Sequence, residues 1–291
     1  MESDFVIADF RQENIFNLKK TKTISLNQFT RYDSSNPPKS ITQSQYLIDC
    51  KKTIDKIKQS HFDKVVLSRV VKLPLNRSLT DVFNDLNTTY KSAFVYMVSI
   101  DGFGTWIGAS PESFLEYKDD TIKTTALAGT KINNATPWGE KEIEEQAIVS
   151  RFIEKSLKFF SENEITKVGP YTINTGSVLH IKTDFSCNIQ QSNIKNLIQK
   201  LHPTPATCGL PQAEAKSFIQ EIEMHQRSLY TGFLGPINKA DGNLFVNLRC
   251  MEIIDKDAYL FVGGGVTADS DSEAEWKETV NKMKTLSPYL H

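Results

Sequence analysis

The stretch 261–286 holds residues whose types and spacing suit the binding of an anion. Three adjacent glycines, 263–265, carry no Cβ, so the backbone there can come close to a ligand. Beyond them Glu275, Glu278 and Lys282 are spaced to share one face of a helix, with a carboxylate and an ammonium one turn apart. Such a set can bind an acidic small molecule directly or through a metal ion. Taken without other motifs, this pattern more often indicates a surface helix with an i,i+4 salt bridge than a binding site.

A strand and a helix must position these groups. The apolar run 259–262 predicts a short strand that ends where the glycines begin. Ser272 and the glutamate three residues later have capping-box spacing, which predicts the start of a helix. Trp276, Val280 and Met283 recur at i, i+4 and i+7, and they predict the stripe that this helix buries.

A second and longer helix is predicted at 137–160, and its acidic residues gather near its start. Its apolar stripe consists of Ile143, Ala147, Ile148, Ile153, Leu157 and Phe160. The early acids are Glu140, Glu142, Glu144 and Glu145. Compensation of the helix dipole explains acids in a first turn without any catalysis, so a functional role for one of them needs other support.

The composition is that of a soluble globular protein, with 291 residues of which 39% are hydrophobic and 24% charged. Thirty-four basic against 35 acidic side chains leave no overall charge that would favour nucleic acid or a membrane surface. Four widely spaced cysteines without a CxxC pair predict free buried thiols in a reducing compartment: Cys50, Cys187, Cys208 and Cys250. No signal-peptide pattern and no window of about 18 apolar residues is present, so we expect a cytoplasmic protein.

Hydrophobic periodicity and turn residues divide the rest of the chain into short elements. Strands are predicted at 4–10, 22–29, 62–73, 93–100, 105–109, 113–117, 121–127, 168–174, 178–183, 229–236 and 244–254. Further helices are predicted at 45–60, 81–90, 193–201 and 213–225, a turn at 128–130, and a loop fixed by prolines at 202–212. Regular β-α-β alternation is missing, which favours an α+β fold of mainly antiparallel strands with outer helices.

Five motifs occur in one order along the chain: 62–69 (FDKVVLSR), 108–112 (GASPE), 126–130 (ALAGT), 202–209 (HPTPATCG) and 263–282. Together they resemble the chorismate-utilising enzymes, which include isochorismate synthases, salicylate synthases and the synthase subunits of anthranilate and aminodeoxychorismate formation. The resemblance covers about 45–288 and implies one large domain of antiparallel sheets with outer helices around a central cleft. Family members commonly carry a longer N-terminal part. We therefore expect residues 45–291 to form the catalytic domain and residues 1–44 to add a short strand segment to it.

The resemblance implies chorismate as substrate, a cyclohexadiene with two carboxylates and a C4 hydroxyl, and Mg²⁺ as the cofactor that holds the ring carboxylate. Glu145 and Glu278 match the metal-binding acids, with Glu142 close by. Hard oxygen ligands are what Mg²⁺ requires. Arg249 and Tyr230 match positions that bind the enolpyruvyl carboxylate, and a guanidinium fork suits a planar carboxylate. The remaining positions implied for substrate binding are Gly129, Thr130, His180, Ala206, Gly263, Gly264, Gly265 and Lys282.

The implied reaction adds water at ring C2 and removes the C4 hydroxyl, which needs a base and an acid. Lys64 resembles the base and Glu112 the acid. A lysine serves as a base only when its pKa is lowered, and partial burial would do this. Without the other motifs, Lys64 would be an exposed residue at a strand start, and Glu112 a capping or turn carboxylate after a proline.

Three positions favour isochorismate synthase within the family. Anthranilate-type enzymes, which use ammonia from a glutaminase partner, usually carry glutamine at Lys64, and aminodeoxychorismate synthases carry a nucleophilic lysine at Ala128. Salicylate synthases tend to have threonine at Ala206. Salicylate synthase and anthranilate or aminodeoxychorismate synthase remain the alternatives. We expect no glutaminase partner, and a monomer or weak dimer.

Two other classes of protein fit the residues less well. A carboxylate-binding module without catalysis would not need an acid–base pair. A phosphate- or nucleotide-binding protein built on the triple glycine would be expected to carry a GxxxxGK[ST] or GxGxxG pattern, and the chain has neither.

Overall fold

The computed structural model describes residues 4–23, 25–34, 36–59, 62–131, 136–174 and 178–291. Its helices are α1 (Gln43–Gln59), α2 (Leu79–Thr89), α3 (Glu140–Lys158), α4 (Gln191–Leu201), α5 (Gln212–Ile222) and α6 (Ser272–Met283). Its strands are β1 (Asp4–Ala8), β2 (Ile15–Lys19), β3 (Lys64–Pro74), β4 (Phe94–Ile100), β5 (Gly104–Ser110), β6 (Ser113–Lys118), β7 (Thr121–Lys131), β8 (Thr166–Asn174), β9 (Leu179–Asn188), β10 (Gly209–Leu210), β11 (Phe233–Ile237), β12 (Asp241–Val246), β13 (Cys250–Ile254) and β14 (Asp257–Val266).

Two antiparallel sheets carry the fold. The eight-stranded sheet has the order β2-β1-β11-β12-β6-β7-β9-β8, and the six-stranded sheet has the order β10-β3-β14-β13-β5-β4. A cluster that includes Ile7, Leu234, Trp106 and Phe261 joins the two sheets, because its members come from both. The α+β prediction with mainly antiparallel strands is confirmed, and the early strand β1 pairs with β11 inside the larger sheet.

The helices cover the outer faces of the sheets. Apolar residues of α3 and α4, such as Ile153 and Leu197, pack against the eight-stranded sheet. Residues of α1 and α5 pack on the strands β3 and β14, and those of α2 on β5 and β13. The four cysteines are free and buried, as predicted. In the described ranges, we find no helix with the length and apolar character needed to cross a membrane.

The predicted strand at 22–29 was wrong. The second strand is β2 at Ile15–Lys19, whereas 22–29 contains a short 3₁₀ helix at Leu26–Gln28. The cause is a tight turn after β1, where the carboxylate of Asp9 accepts hydrogen bonds from the Glu13 N–H and from the Asn14 side chain. An aspartate that binds nearby donors in this way closes a turn, and this turn chemistry was not recognised.

The apolar run 244–254 was predicted as one strand and is two strands in different sheets. The strand β12 belongs to the eight-stranded sheet and β13 to the six-stranded sheet, and the chain crosses between them at 247–249. Asn247 fixes the crossover, because its side chain binds Tyr96 Oη and the Leu229 carbonyl. Arg249 has a φ of 48° there. The run 229–236 likewise begins as turns, and its strand starts only at Phe233.

Three details near the glycines also differ from the prediction. The strand β14 does not stop at 262 but continues to Val266, so the triple glycine lies within it and pairs with β3. The predicted turn at 128–130 is a β-bulge in a continuous strand, with Gly129 at a φ of 71°. The helix α6 is capped by Asp271 rather than Ser272.

The buried faces of α3 and α6 are more polar than the predicted stripes. Ile143 is 52% exposed, whereas Glu145 is buried. In α6 the residues most removed from solvent are Glu275 and Thr279. Both helices therefore turn a carboxylate inward, which an apolar stripe could not predict.

Candidate active site

A cavity opens between the two sheets, and most of the predicted site residues line it. Its wall is formed by the bulge of β7, the loop 202–209, the crossover 247–249, the glycines of β14 and the inner face of α6. The predicted residues that line it are Glu112, Gly129, Thr130, Glu145, His180, Ala206, Tyr230, Arg249, Gly263, Gly264, Gly265 and Lys282. The structure therefore brings together residues that are far apart in the sequence.

The glycines of β14 leave room for charged side chains. A methyl group at Gly264 would lie 3.0 Å from Glu275 Oε2 and 3.4 Å from Glu278 Oε1. A methyl group at Gly265 would lie 2.7 Å from Lys64 Cε and would overlap Glu145 Oε1. A Cβ at Gly265 would come closer to these atoms than real Cβ atoms do, and one at Gly264 would be tightly placed, so the missing side chains help these groups to gather here.

Three carboxylates in this cluster are each paired with a lysine. The ion pairs join Glu145 Oε1 to Lys64 Nζ at 2.9 Å, Glu275 Oε1 to Lys141 Nζ at 2.6 Å, and Glu278 Oε1 to Lys282 Nζ at 2.6 Å. The predicted i,i+4 salt bridge of α6 is thus present, but it faces the cavity. The charges of the three acids are balanced by three ammonium groups of the chain itself.

Lys64 begins the strand β3, but it is not exposed. Its side chain is fully buried, and among the described residues its ion pair is with Glu145. Within the described residues its Nζ makes no hydrogen bond of good geometry. A buried ammonium held by an ion pair alone retains donors that can turn toward a ligand.

Glu112 is buried beside the cavity, at the point where the chain passes from β5 to β6. Burial raises the pKa of its carboxyl to about 7, although Lys64, Lys282 and Arg249 favour the charged form. A carboxyl group with this pKa holds a proton for part of the time at neutral pH and can donate it. An ordinary turn carboxylate would not.

His180 is held as a neutral ring. Burial lowers its pKa to about 4, and the charges of Lys282 and Arg249 act in the same direction. Its Nδ1 lies 2.9 Å from the Gly129 carbonyl oxygen, which can only accept a hydrogen bond. The proton of the neutral ring is therefore on Nδ1, and Nε2 is left as an acceptor.

Arg249 and Lys282 supply positive charge on one side of the cavity. Arg249 Nη1 donates to Thr285 Oγ1 at 3.0 Å and to the Lys282 carbonyl at 3.2 Å, which anchors the guanidinium to the end of α6. Lys282 Nζ donates to the Gly263 carbonyl at 2.9 Å. The hydroxyl of Tyr230 lies close to Gly263 as well. This arrangement suits a carboxylate, which a guanidinium can bind through two parallel hydrogen bonds.

Glu142 lies apart from the other predicted metal ligands. Its carboxylate turns back toward Gly139, which caps the N-terminus of α3, and its backbone packs against Gly129. Acids in the first turn of a helix are stabilised by the helix dipole. The geometry gives Glu142 a position in the first turn of α3.

The carboxylate cluster has the chemistry of a Mg²⁺ site. In the described ranges, no three His, Cys, Asp or Glu side chains are arranged closely enough to hold a metal by themselves. Mg²⁺ does not require such a set, because it usually keeps several waters and binds one or two carboxylates. Glu275 Oε2 is buried without a hydrogen-bond partner and faces Gly264. An unpaired buried carboxylate oxygen beside the carboxylate of Glu278 fits a hard dication.

Sequence reasoning missed Lys141 altogether and placed Glu275 only on a helix face. Lys141 lies in the first turn of α3 among acidic residues, and the sequence pattern there indicates a role for the acids rather than for the lysine. The capping-box spacing around Glu275 suggested a local role in starting the helix, but its partner is 134 residues away. The only available signal was that Glu275 precedes Glu278 by three residues and so lies on the same face.

Comparison with known proteins gives this site a family context. Residues 6–291 match the profile of the family described as chorismate binding enzyme. The isochorismate synthase MenF of Bacillus subtilis is 29% identical over 300 residues, which cover 98% of this chain and 60% of that protein. Anthranilate synthase component 1 of Streptomyces coelicolor is 27% identical over 262 residues, which cover 84% of this chain and 51% of that protein. The chain thus spans between half and three fifths of the length of these relatives.

Solved structures show the same fold. The structure of DhbC from Bacillus anthracis, described as a 2,3-dihydroxybenzoate-specific isochorismate synthase, aligns with a TM-score of 0.83 and 25% identity. The alignment covers 99% of this chain and 84% of that one. MenF of Escherichia coli aligns with a TM-score of 0.78 at 22% identity, over 92% of this chain and 66% of that one.

Proposed function

The chain belongs to the chorismate binding enzyme family, and from this premise we propose that it is an isochorismate synthase that interconverts chorismate and isochorismate with Mg²⁺. The observation that carries the proposal is the acid–base pair. Glu112 lines the cavity, Lys64 is buried against Gly265, which also lines it, and burial raises the pKa of Glu112 to about 7. Binding alone would not require a carboxyl group that can donate a proton at neutral pH.

The two residues divide the proton transfers between them. To act as the base, Lys64 has to be the neutral amine rather than the ammonium of the ion pair with Glu145. The neutral amine accepts a proton from the water whose oxygen bonds to ring C2. Glu112 donates its proton to the C4 hydroxyl, which leaves as water while the ring double bonds shift. One C–O bond forms and one breaks, so substrate and product have the same composition. The reverse reaction uses the same groups, and returning the proton from Lys64 to Glu112 restores the starting state.

The other residues of the cavity hold the substrate. Arg249 and Tyr230 are proposed to bind the enolpyruvyl carboxylate, since a guanidinium and a phenol present donors to a planar anion. The amides of β14 and of the Gly129 bulge lie against the same space. His180 Nε2 is an acceptor and so suits a substrate hydroxyl. Ala206 adds a small apolar side chain on the loop side of the cavity.

We propose that Glu145 and Glu278 hold Mg²⁺, with Glu275 contributing through its free Oε2 and Glu142 remaining at the rim. Bound Mg²⁺ would supply a positive centre for the ring carboxylate of the substrate. The three lysines stabilise the carboxylate cluster through the ion pairs described above. The lysines also hold the three carboxylates in place for Mg²⁺, which is positively charged like the ammonium groups.

Product analysis tests the proposed reaction. Purified protein with Mg²⁺ should convert either chorismate or isochorismate to the same mixture of the two, because the reaction exchanges one allylic hydroxyl for another. Chromatography of the products measures this. Accumulation of salicylate and pyruvate would indicate a salicylate synthase. An aminated product with added ammonium would indicate an anthranilate-type enzyme, a class that is present among the relatives.

A further inference from the structure

Lys141 and Ser270 meet at one oxygen of Glu275. Lys141 Nζ donates to Glu275 Oε1 at 2.6 Å, and Ser270 Oγ donates to the same oxygen at 2.8 Å. Ser270 is itself fixed, because its Oγ accepts a hydrogen bond from the Thr267 N–H at 3.1 Å. Two donors from separate segments, the start of α3 and the loop before α6, therefore converge on Oε1.

The other oxygen of this carboxylate has no such partner. Glu275 Oε2 is buried and forms no hydrogen bond with the part of the chain that the structure describes. It lies on the side of Gly264, where Glu278 Oε1 also approaches. A carboxylate with two donors on one oxygen cannot rotate freely, so its second oxygen is held toward the neighbouring acids. Leaving a buried acceptor unsatisfied is costly unless a ligand uses it.

Lys141 reaches Glu275 from the solvent side. Its side chain is 23% exposed and lines a surface cleft with Glu140, Glu144 and Asp269. The residue thus stands between solvent and the carboxylate cluster, and its side chain is not part of a packed core.

We propose that Lys141 and Ser270 are positioning residues, which hold Glu275 Oε1 and thereby direct Glu275 Oε2 toward the divalent cation of the carboxylate cluster. This rests on the metal site of the proposed function. Neither residue contacts the cation in this scheme. Their effect is on the orientation of a ligand, as with the hydrogen-bonding partners that orient ligands in other metal sites.

Calorimetric titration of the purified protein with Mg²⁺, without chorismate, measures this directly. Lys141→Met should weaken Mg²⁺ binding by about 10- to 100-fold, the range expected when the partner of a ligand is removed. Lys141→Arg, which can still donate to Oε1, should restore most of the affinity, and Ser270→Ala should show a smaller loss than Lys141→Met. The matched control is Lys158→Met, which removes the lysine of the exposed pair with Glu154 on the same helix and should leave Mg²⁺ binding unchanged.

The outcomes separate this inference from the proposed function. Wild-type protein that binds Mg²⁺ together with Lys141→Met that binds it equally well or more tightly would overturn the positioning role alone, because Lys141 would then act only as a competing charge. Wild-type protein that binds no Mg²⁺ would overturn both proposals. Thermal unfolding of each variant reports whether it is folded. If Lys141→Met does not fold, Ser270→Ala decides the question by the same titration.

Discussion

At the scale of single residues, the site depends on burial that changes what ordinary side chains can do. Lys64 and Glu112 are both removed from solvent, and each would be unremarkable at a surface. Burial penalises a charge, so a buried carboxyl keeps its proton to higher pH. This is why the same residue types that balance a helix dipole elsewhere in the chain can act as an acid here.

Removal of either member of the acid–base pair should lower turnover while substrate still binds. We expect Lys64→Ala and Glu112→Gln each to lower kcat by about 10²- to 10⁴-fold, the usual contribution of one acid–base group. KM should change little, since the enolpyruvyl carboxylate of the substrate is assigned to Arg249 and Tyr230 and the ring carboxylate to the Mg²⁺ site. Steady-state kinetics measure both constants. Near-normal kcat in Lys64→Ala would show that another group accepts the proton.

The raised pKa of Glu112 predicts how activity changes with pH. A proton donor works only in its protonated form, so in enzyme whose Lys64 is already the neutral amine that the mechanism requires, kcat/KM for chorismate should fall as pH rises through about 7. His180 cannot produce this change, because burial lowers its pKa to about 4 and it stays neutral throughout. The pH profile of Glu116→Gln, which alters an exposed acid on β6, should match that of the wild type. A profile that stays flat through this range would exclude Glu112 as the donor.

At the scale of elements, the site is assembled by a strand that carries three glycines near its C-terminal end. The triple glycine pairs with β3 in regular register, so its role is to leave space rather than to make a turn. Two helices, α3 and α6, then direct their inward carboxylates into that space. Adding a single methyl group to the strand should disturb the cluster without changing the pairing of β14 and β3.

Gly265→Ala tests this role of β14. The new methyl group would overlap Glu145 Oε1 and approach Lys64 Cε to 2.7 Å, so the ion pair must shift and both activity and Mg²⁺ binding should fall. Gly102→Ala is the control, because its methyl group would meet nothing within 4 Å but its φ of 76° is strained for alanine. The control should lower the melting temperature and keep full activity. Kinetics and thermal unfolding of both variants separate the two effects, and an active Gly265→Ala protein would contradict this account.

At the scale of the whole molecule, a buried arginine connects the segments around the cavity. Arg227 pairs with Glu223 at 2.6 Å, and both side chains are almost completely buried. Its guanidinium also donates to the carbonyls of Val66 and Thr207, two residues that line the cavity. The strand β3, the loop 202–209 and the segment after α5 are thus held by one side chain.

Arg227→Met should therefore destabilise the whole domain. Removing one partner of a buried ion pair leaves a buried charge, here Glu223, and costs about 3–5 kcal/mol in the free energy of unfolding. Chemical denaturation measures this quantity. Arg77→Met, which breaks the partly exposed pair with Asp85, should cost no more than about 1 kcal/mol. Equal losses in the two variants would mean that the buried network contributes no more than a surface pair.

Much of this protein could be read from local patterns in its sequence. Helical periodicity located α1, α2 and α3, and turn residues such as Asp101 and Gly102 located the β4–β5 hairpin, because burial on one side leaves a regular trace. The five motifs also contain most of the residues that line the cavity. A motif can be recognised from its residue types and their spacing alone, without knowledge of where the segment lies in the fold.

Other features were decided only when distant segments packed together. The run 244–254 is divided between two sheets by the side chain of Asn247 and the backbone of Arg249, and neither marks a break in an apolar sequence. Lys141 finds its partner in Glu275, 134 residues further along the chain. Hydrophobic periodicity predicts which face of an element is buried, but it does not predict which charged group from another segment will contact that face. Those pairings, and with them the acid–base and metal-binding properties of the site, arise from tertiary contacts.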